Sequence, residues 1–579
     1  MDRLPLLEQL QRRVRVARGL EPADVVLTGG QVVNVFAGRL ERWDVAVADG
    51  VIAGVGPFAW QGRDTIDATG KVVLPGLIDS HMHLESTLLS PGELARLVVP
   101  RGTTATISDS HEVGNVLGIP GIEALAKASE GIAFDLFFTA SSCVPAAAWE
   151  HAGATLDPDD VARLLRHPRM LALAEVMDFP AVLRSDPYVL RKVLAGMEAG
   201  RPLDGHAPGM VGRDLVAYAA AGIRSDHESG TVEEAVQKAA LGMLVQVREG
   251  SIARNLDALL PSLVRGELGD CWTLVTDDVL PTDLIRDGHL DHHMRRVVAA
   301  GVDPVVAVRQ ASFVPARHYR LFDRGAVAPG YRADLVVVER LGNFRPTLVL
   351  KDGVVAARDG VYVGPQPTHG LPKANTIHLP ALTEAAFRLK LGSDSVPALR
   401  IQPGSLLTRK DTVEVARNEG HWAYDPRRDV VLLASVERHK ALGTVGLGLA
   451  TGFGFRRHGA LGSSVAHDSH NVILAGTNPR DLLVAAHALA ETGGGFVTVA
   501  DGQVQARLPL PFAGLLSTRP YEEVEAGLSE VESAAAELGV TVPCPFGILS
   551  FLALSVIPEV RVTDQGFWDV VEQRFVTLG

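Results

Sequence analysis

Between residues 72 and 322 the chain alternates short apolar runs with helical stretches, the pattern of repeated βα units around a parallel sheet. Eight of these runs end near Asp79, Ser108, Ala140, Ala174, Gly205, Ser225, Val247 and Thr276. Eight βα units in roughly 250 residues fit a closed (β/α)8 TIM barrel. An open doubly wound sheet is the alternative, but no GxGxxG or phosphate-loop pattern follows the first strand.

The flanking segments have other periods. Residues 5–19 read as a short amphipathic helix. Residues 23–56 are β-branched strands punctuated by Gly-Gly, Ala-Gly and Asp-Gly turns, and the same pattern returns at 330–360. Two distant β segments of one type predict a composite β-sandwich with the barrel inserted between its halves. Residues 361–380, rich in Pro, Gly, Thr and His, read as a linker before a C-terminal α+β unit. The predicted division is 1–71, 72–322, 323–380 and 381–579.

Composition narrows the function classes. With 579 residues and 47% hydrophobic positions, the chain is long enough for about three packed domains. Its net charge of −13 argues against nucleic acid or an anionic membrane as the main partner. Cys143, Cys271 and Cys544 form no CxxC pair, which points to a reducing compartment. Met1–Pro5 opens no apolar leader, and no apolar run approaches the roughly 18 residues of a membrane span. A cytoplasmic homodimer is the expected setting.

The strand ends carry the chemistry. A barrel places its active site at the C-terminal ends of its strands. The first run delivers His81 and His83, two residues apart and so on one side of a strand. Glu175 ends the fourth run, His206 follows the fifth, His227 the sixth, and Asp277-Asp278 the eighth. Four imidazoles and two carboxylates suit a pair of divalent metals. Two metals lower the pKa of a water from 15.7 toward about 7. Glu175 is placed to bridge them. Asp277 is placed to touch one metal and to carry a proton as base and then acid. Strand alternation predicts that Asp278 points the other way. In the C-terminal unit, the polar run AHDSHN (466–471) stands in an apolar region. Burying it unpaired would be costly, so this unit is expected to pack against the barrel mouth.

PGLIDSHMHLES (75–86) resembles the opening motif of the amidohydrolase superfamily. DSHEVGNV (109–116), LAEVMDFP (173–180), DGHAPG (204–209), TDDVLPTDLIRDGHLD (276–291) and AHDSHN resemble the adenine deaminase family in particular. The resemblance spans nearly the whole chain. It departs only in Ser86-Thr87, where Ser-Ser is expected, and Pro180-Ala181, where Pro-Gly is expected. It implies His81, His83, Glu175, His206, His227 and Asp277 as metal ligands. Glu175 stands where many superfamily members have a carboxylated lysine, so no modified residue is needed. The implied metals are Mn(II) or Fe(II), with Zn(II) also compatible. The implied reaction is hydrolytic deamination of free adenine to hypoxanthine and ammonia, with no ribose or phosphate clamp. The alternatives are an amidohydrolase acting on a cyclic amide and an inactive metal-binding homologue. Glu85, Ser86, Asp109, His111, Glu112, Arg248 and Glu249, with Ser251, are candidates to read the purine edges or to orient the ligands. His467, Asp468 and His470 are left between reaching the cavity, binding another cation and stabilising a turn.

Overall fold

Eight short parallel strands build the centre of the computed structural model, which describes residues 6–402 and 407–578. They are β1 (Leu77–His83), β2 (Thr103–Asp109), β3 (Asp135–Ala140), β4 (Met170–Val176), β5 (Leu203–Gly205), β6 (Ser225–Asp226), β7 (Leu244–Arg248) and β8 (Trp272–Val275). Strands β1 to β5 form one sheet and β6 to β8 another. Backbone bonds join the two. Arg224 N–H donates to Leu203 O at 3.0 Å, and Asp277 N–H donates to His81 O at 3.1 Å. A parallel bridge between Met82 and Asp277 completes the ring. Closure leaves no exposed strand edge. Every residue of β4 is buried, which is why its sequence reads as an apolar run with no alternation.

The sandwich is composite. One four-stranded sheet uses Ala23–Thr28, Asp44–Ala48, Val51–Gly56 and Gly62–Asp67. The seven-stranded sheet joins Gln31–Asn34, Arg39–Glu41 and Val72–Pro75 edge to edge with four strands from beyond the barrel. Its seam is Leu335–Val338, antiparallel to Val72–Pro75. VVLPGLID therefore holds two strands, the first in the sandwich and the second in the barrel. Gly76 separates them: a Cβ there would lie 2.1 Å from Thr104 Oγ1. Val361–Tyr362, within the expected linker, is the edge strand of the large sheet. The helix expected over 5–19 spans Leu7–Ala17. Met1–Pro5 lies outside the described residues.

The C-terminal unit centres on an eight-stranded sheet from Ser395–Ile401 to Gln503–Pro509. Alternate residues feed opposite cores, as a pleated strand requires. Leu432, Ala434 and Leu474 pack with Leu482, Ala485 and Leu489 of the helix Pro479–Thr492. Leu433, Ile473 and Leu461 join the main core with Val524, Leu528 and Phe546 and with the barrel. One continuous apolar interface thus seats this unit on the barrel. No helix among the described residues is long and apolar enough to cross a membrane.

Candidate metal centre

All six residues read as ligands converge on the barrel mouth. β1 runs on to His83, so both of its histidines lie within the strand and face inward. His81 Nε2 and His83 Nε2 lie 3.4 and 3.3 Å from Asp277 Oδ1. His83 Nε2 is also 3.6 Å from Glu175 Oε1. The other oxygen of Glu175 meets His206 Nδ1 at 2.8 Å and His227 Nε2 at 3.3 Å. Those two nitrogens are 3.2 Å apart. Donors about 3 to 3.6 Å apart are spaced as ligands around one cation with bonds of about 2.0–2.2 Å. Glu175 presents one oxygen to each of two such groups. His81 Nε2 is buried without a hydrogen-bond partner among the described residues. An orphaned imidazole nitrogen facing carboxylate oxygen fits a cation between them. The donor set also fits: imidazole and carboxylate suit divalent transition metals.

The residues around this group are fixed by strand ends and long-range pairs. Burial alone would raise the Asp277 carboxyl, but Arg248, with His81 and His83, holds it well below the usual carboxylate range. Arg248 Nη1 donates to Asp277 Oδ2 at 2.8 Å, and its Nη2 donates to Glu228 Oε2 at 2.9 Å. Its two terminal nitrogens are thus engaged by carboxylates, while its Nε is buried without a hydrogen-bond partner among the described residues. Glu249, the next residue, turns outward and pairs with Arg296 at 2.5 Å. Asp109 accepts from His111 N–H and Glu175 N–H, at 3.0 and 3.3 Å. Glu85 Oε1 accepts from Val113 N–H at 3.1 Å. Behind His206 and His227, Asp226 accepts from Ala207 N–H, Glu228 N–H, Ser229 Oγ and the buried Lys238 Nζ. The sequence reading missed Asp226 and Lys238, although Asp226 precedes His227 directly.

The expectation for Asp278 is overturned. β8 ends at Val275, and Asp277 has a left-handed φ of 58°. That turn cancels the strand alternation, so Asp278 faces the mouth as well. Its Oδ1 accepts from Ser86 Oγ at 2.5 Å. Burial and then Asp277 raise its carboxyl.

The C-terminal unit reaches into the same mouth. His467 Nδ1 lies 2.6 Å from Glu112 Oε1, and His470 Nε2 bonds the other oxygen of that carboxylate. Asp468 Oδ1 is 3.7 Å from His111 Nε2.

Comparison with known proteins matches two family descriptions to this architecture. Residues 72–356 match the amidohydrolase family, and 405–574 match the adenine deaminase C-terminal domain. The adenine deaminase of Nitratidesulfovibrio vulgaris is 44% identical over 99% of both chains. That of Desulfatibacillum aliphaticivorans is 42% identical over 98% of this chain and 99% of its own. This chain belongs to the adenine deaminase family.

For a member of the adenine deaminase family, the cleft beside the six donors shows what the C-terminal unit adds. Ser86, Ser251, Asp278 and His467 give it polar groups. Val465, Phe496, Phe546 and Phe551, all from the C-terminal unit, line it with Ile252 and Leu280. Phe551 stacks on His467 at 4.4 Å, and Phe546 on Phe496 at 4.9 Å. Of the eight residues first expected to read a purine or orient the ligands, Ser86 and Ser251 border this cleft. The phenylalanines escaped the sequence reading because an aromatic in an apolar run looks like core.

Proposed function

We propose that this chain is an adenine deaminase, converting adenine and water to hypoxanthine and ammonia. The observation that carries the reading is a barrel mouth with six convergent metal donors beside a narrow, phenylalanine-lined cleft. Full-length membership of the family supports the same substrate. A planar aromatic base suits walls of stacked rings. The serines and Asp278 offer hydrogen bonds at its edge.

His81, His83, Asp277 and Glu175 Oε1 would hold one divalent metal, and Glu175 Oε2, His206 and His227 a second. Mn(II) or Fe(II) is proposed, and Zn(II) also suits the donors. When bound, the pair supplies Lewis acidity and makes a water nucleophilic near neutral pH. Asp277 takes one proton from the attacking water and delivers it to the ring nitrogen beside C6, then relays the second water proton to the amine, so that C6 gains oxygen and loses ammonia. Arg248 holds Oδ2 of Asp277 in place during both transfers. Ser86 fixes Asp278 toward the ring edge. Phe546 and Phe551 exclude water from the face of the base.

The test is coupled. The metal-loaded chain is assayed for ammonia and hypoxanthine from adenine, beside hydantoin and dihydropyrimidine substrates. Turnover of adenine is expected. Cyclic-amide hydrolysis instead, or no turnover at full metal content, would reject the proposal.

A further inference from the structure

A second polar cluster lies where residues 466–471 enter the mouth, and its side chains are not among the six already assigned. Tautomers define it. His470 Nδ1 accepts from Ala466 N–H at 3.0 Å, so its own proton sits on Nε2 and goes to Glu112 Oε2. That occupies one oxygen of Glu112. His111 Nδ1 lies 3.1 Å from Asp109 Oδ1, an acceptor, so Nδ1 carries the proton and Nε2 a lone pair. This lone pair faces Glu112 Oε1 at 3.3 Å and Asp468 Oδ1 at 3.7 Å. His467 Nδ1 completes the ring, 2.6 Å from Glu112 Oε1 and 3.9 Å from Asp468 Oδ1. Asp468 Oδ2 is buried without a hydrogen-bond partner among the described residues. All four residues are at least nine-tenths buried. Two carboxylate oxygens against a lone pair, out of contact with water, require a positive charge among them.

We propose that His111 Nε2, Glu112 Oε1, His467 Nδ1 and Asp468 Oδ1 hold an additional divalent transition-metal cation, separate from the pair of the deaminase reading. Two nitrogen and two carboxylate oxygen donors suit Mn(II), Fe(II) or Zn(II). Asp109 behind His111 makes the carboxylate–histidine pairing that orients metal-bound imidazoles, and His470 fixes Glu112 in the same way. The two carboxylates balance the charge of the ion. Two ligands come from the first turn of the helix His111–Leu117 that follows β2, and two from the C-terminal unit. The cation would therefore pin that unit to the mouth and set Phe551, stacked on His467, against the cleft. The rival occupant is a second proton on His111 or on His467, whose Nδ1 would then donate to Glu112 Oε1 at 2.6 Å; either gives an imidazolium and no metal.

Metal counting separates the two. Crystals of the full chain equilibrated with Mn(II) should show anomalous peaks at the proposed pair and another within this ring of four donors. Full peaks at the pair with none in the ring would overturn the proposal. In solution, the chain dialysed against Mn(II) should retain about one equivalent more than Asp468→Asn. Equal retention by the two proteins would also overturn it. If Asp468→Asn fails to fold, the crystal result on the unaltered chain decides alone. Both readouts count metal rather than turnover, so they stand apart from the deaminase assay.

Discussion

Arg248 Nη1 donates to Oδ2 of Asp277 at 2.8 Å, while Oδ1 of the same carboxylate faces His81 and His83. The arginine thus sets which oxygen is offered to the metal side. Arg248→Met removes that restraint and leaves Glu228 and Asp277 buried without their cation. The expected outcome is a loss of about 10–100-fold in activity or metal affinity. The loss should fall on kcat and metal content, with KM for adenine little changed. A rise in KM alone would return Arg248 to the role of a purine reader.

Asp277→Asn and Asp278→Asn should fail differently. Asp277→Asn keeps a ligand oxygen but loses the base, so kcat should drop by at least about 10²-fold with much of the metal retained. Asp278 instead borders the cleft with Ser86, and its loss should act mainly through KM. Steady-state kinetics with metal analysis of both variants checks this. A fully active Asp277→Asn would move the proton shuttle to Asp278.

The aromatic wall gives a third expectation. Phe551→Ala and Phe546→Ala each remove one ring of a stacked pair at the cleft. A ring packed against the base would contribute about 0.5–1.5 kcal/mol beyond burial, so KM for adenine should rise by up to about 10-fold. Unchanged KM in both variants would place the base elsewhere.

Stability behind the site rests on Lys238. Its ammonium is fully buried, 2.7 Å from both Asp226 and Glu234. Lys238→Met would strand two buried carboxylates and cost about 3–5 kcal/mol. Urea unfolding should report it. Asp226 also holds Ala207 N–H and Glu228 N–H, so retention of metal at His206 and His227 should weaken with it.

Glu150 supplies a pH dependence. It is buried against Ser555 at 2.8 Å, and burial, then the charges of Asp468 and Asp564, push its carboxyl up to about 8. Its folded pKa exceeds the unfolded value of about 4.3. Its contribution is therefore complete below about pH 4 and is lost as pH rises toward about 8. Glu150→Gln has no such loss. Its advantage over the unaltered chain should open across that window and stay constant above it. Thermal unfolding at several pH values reads this, and a pH-independent difference would contradict it.

The sequence by itself determined the eight apolar runs, the composite sandwich and the six donors at the mouth. Each rests on local geometry: a run buried on both faces is apolar, and residues two apart in a strand share a side. His81 and His83 converge on Asp277 for that reason. Tertiary structure decided what the neighbours of those donors do. The left-handed turn at Asp277 brings Asp278 inward, against the alternation of the strand. Glu112 is claimed by His467 and His470, 355 and 358 residues away, and Glu249 by Arg296 on an outer helix. The phenylalanine wall exists only because the C-terminal sheet docks on the barrel. Periodicity records which face a residue shows within its own element. It does not record which distant charge or ring will meet that face.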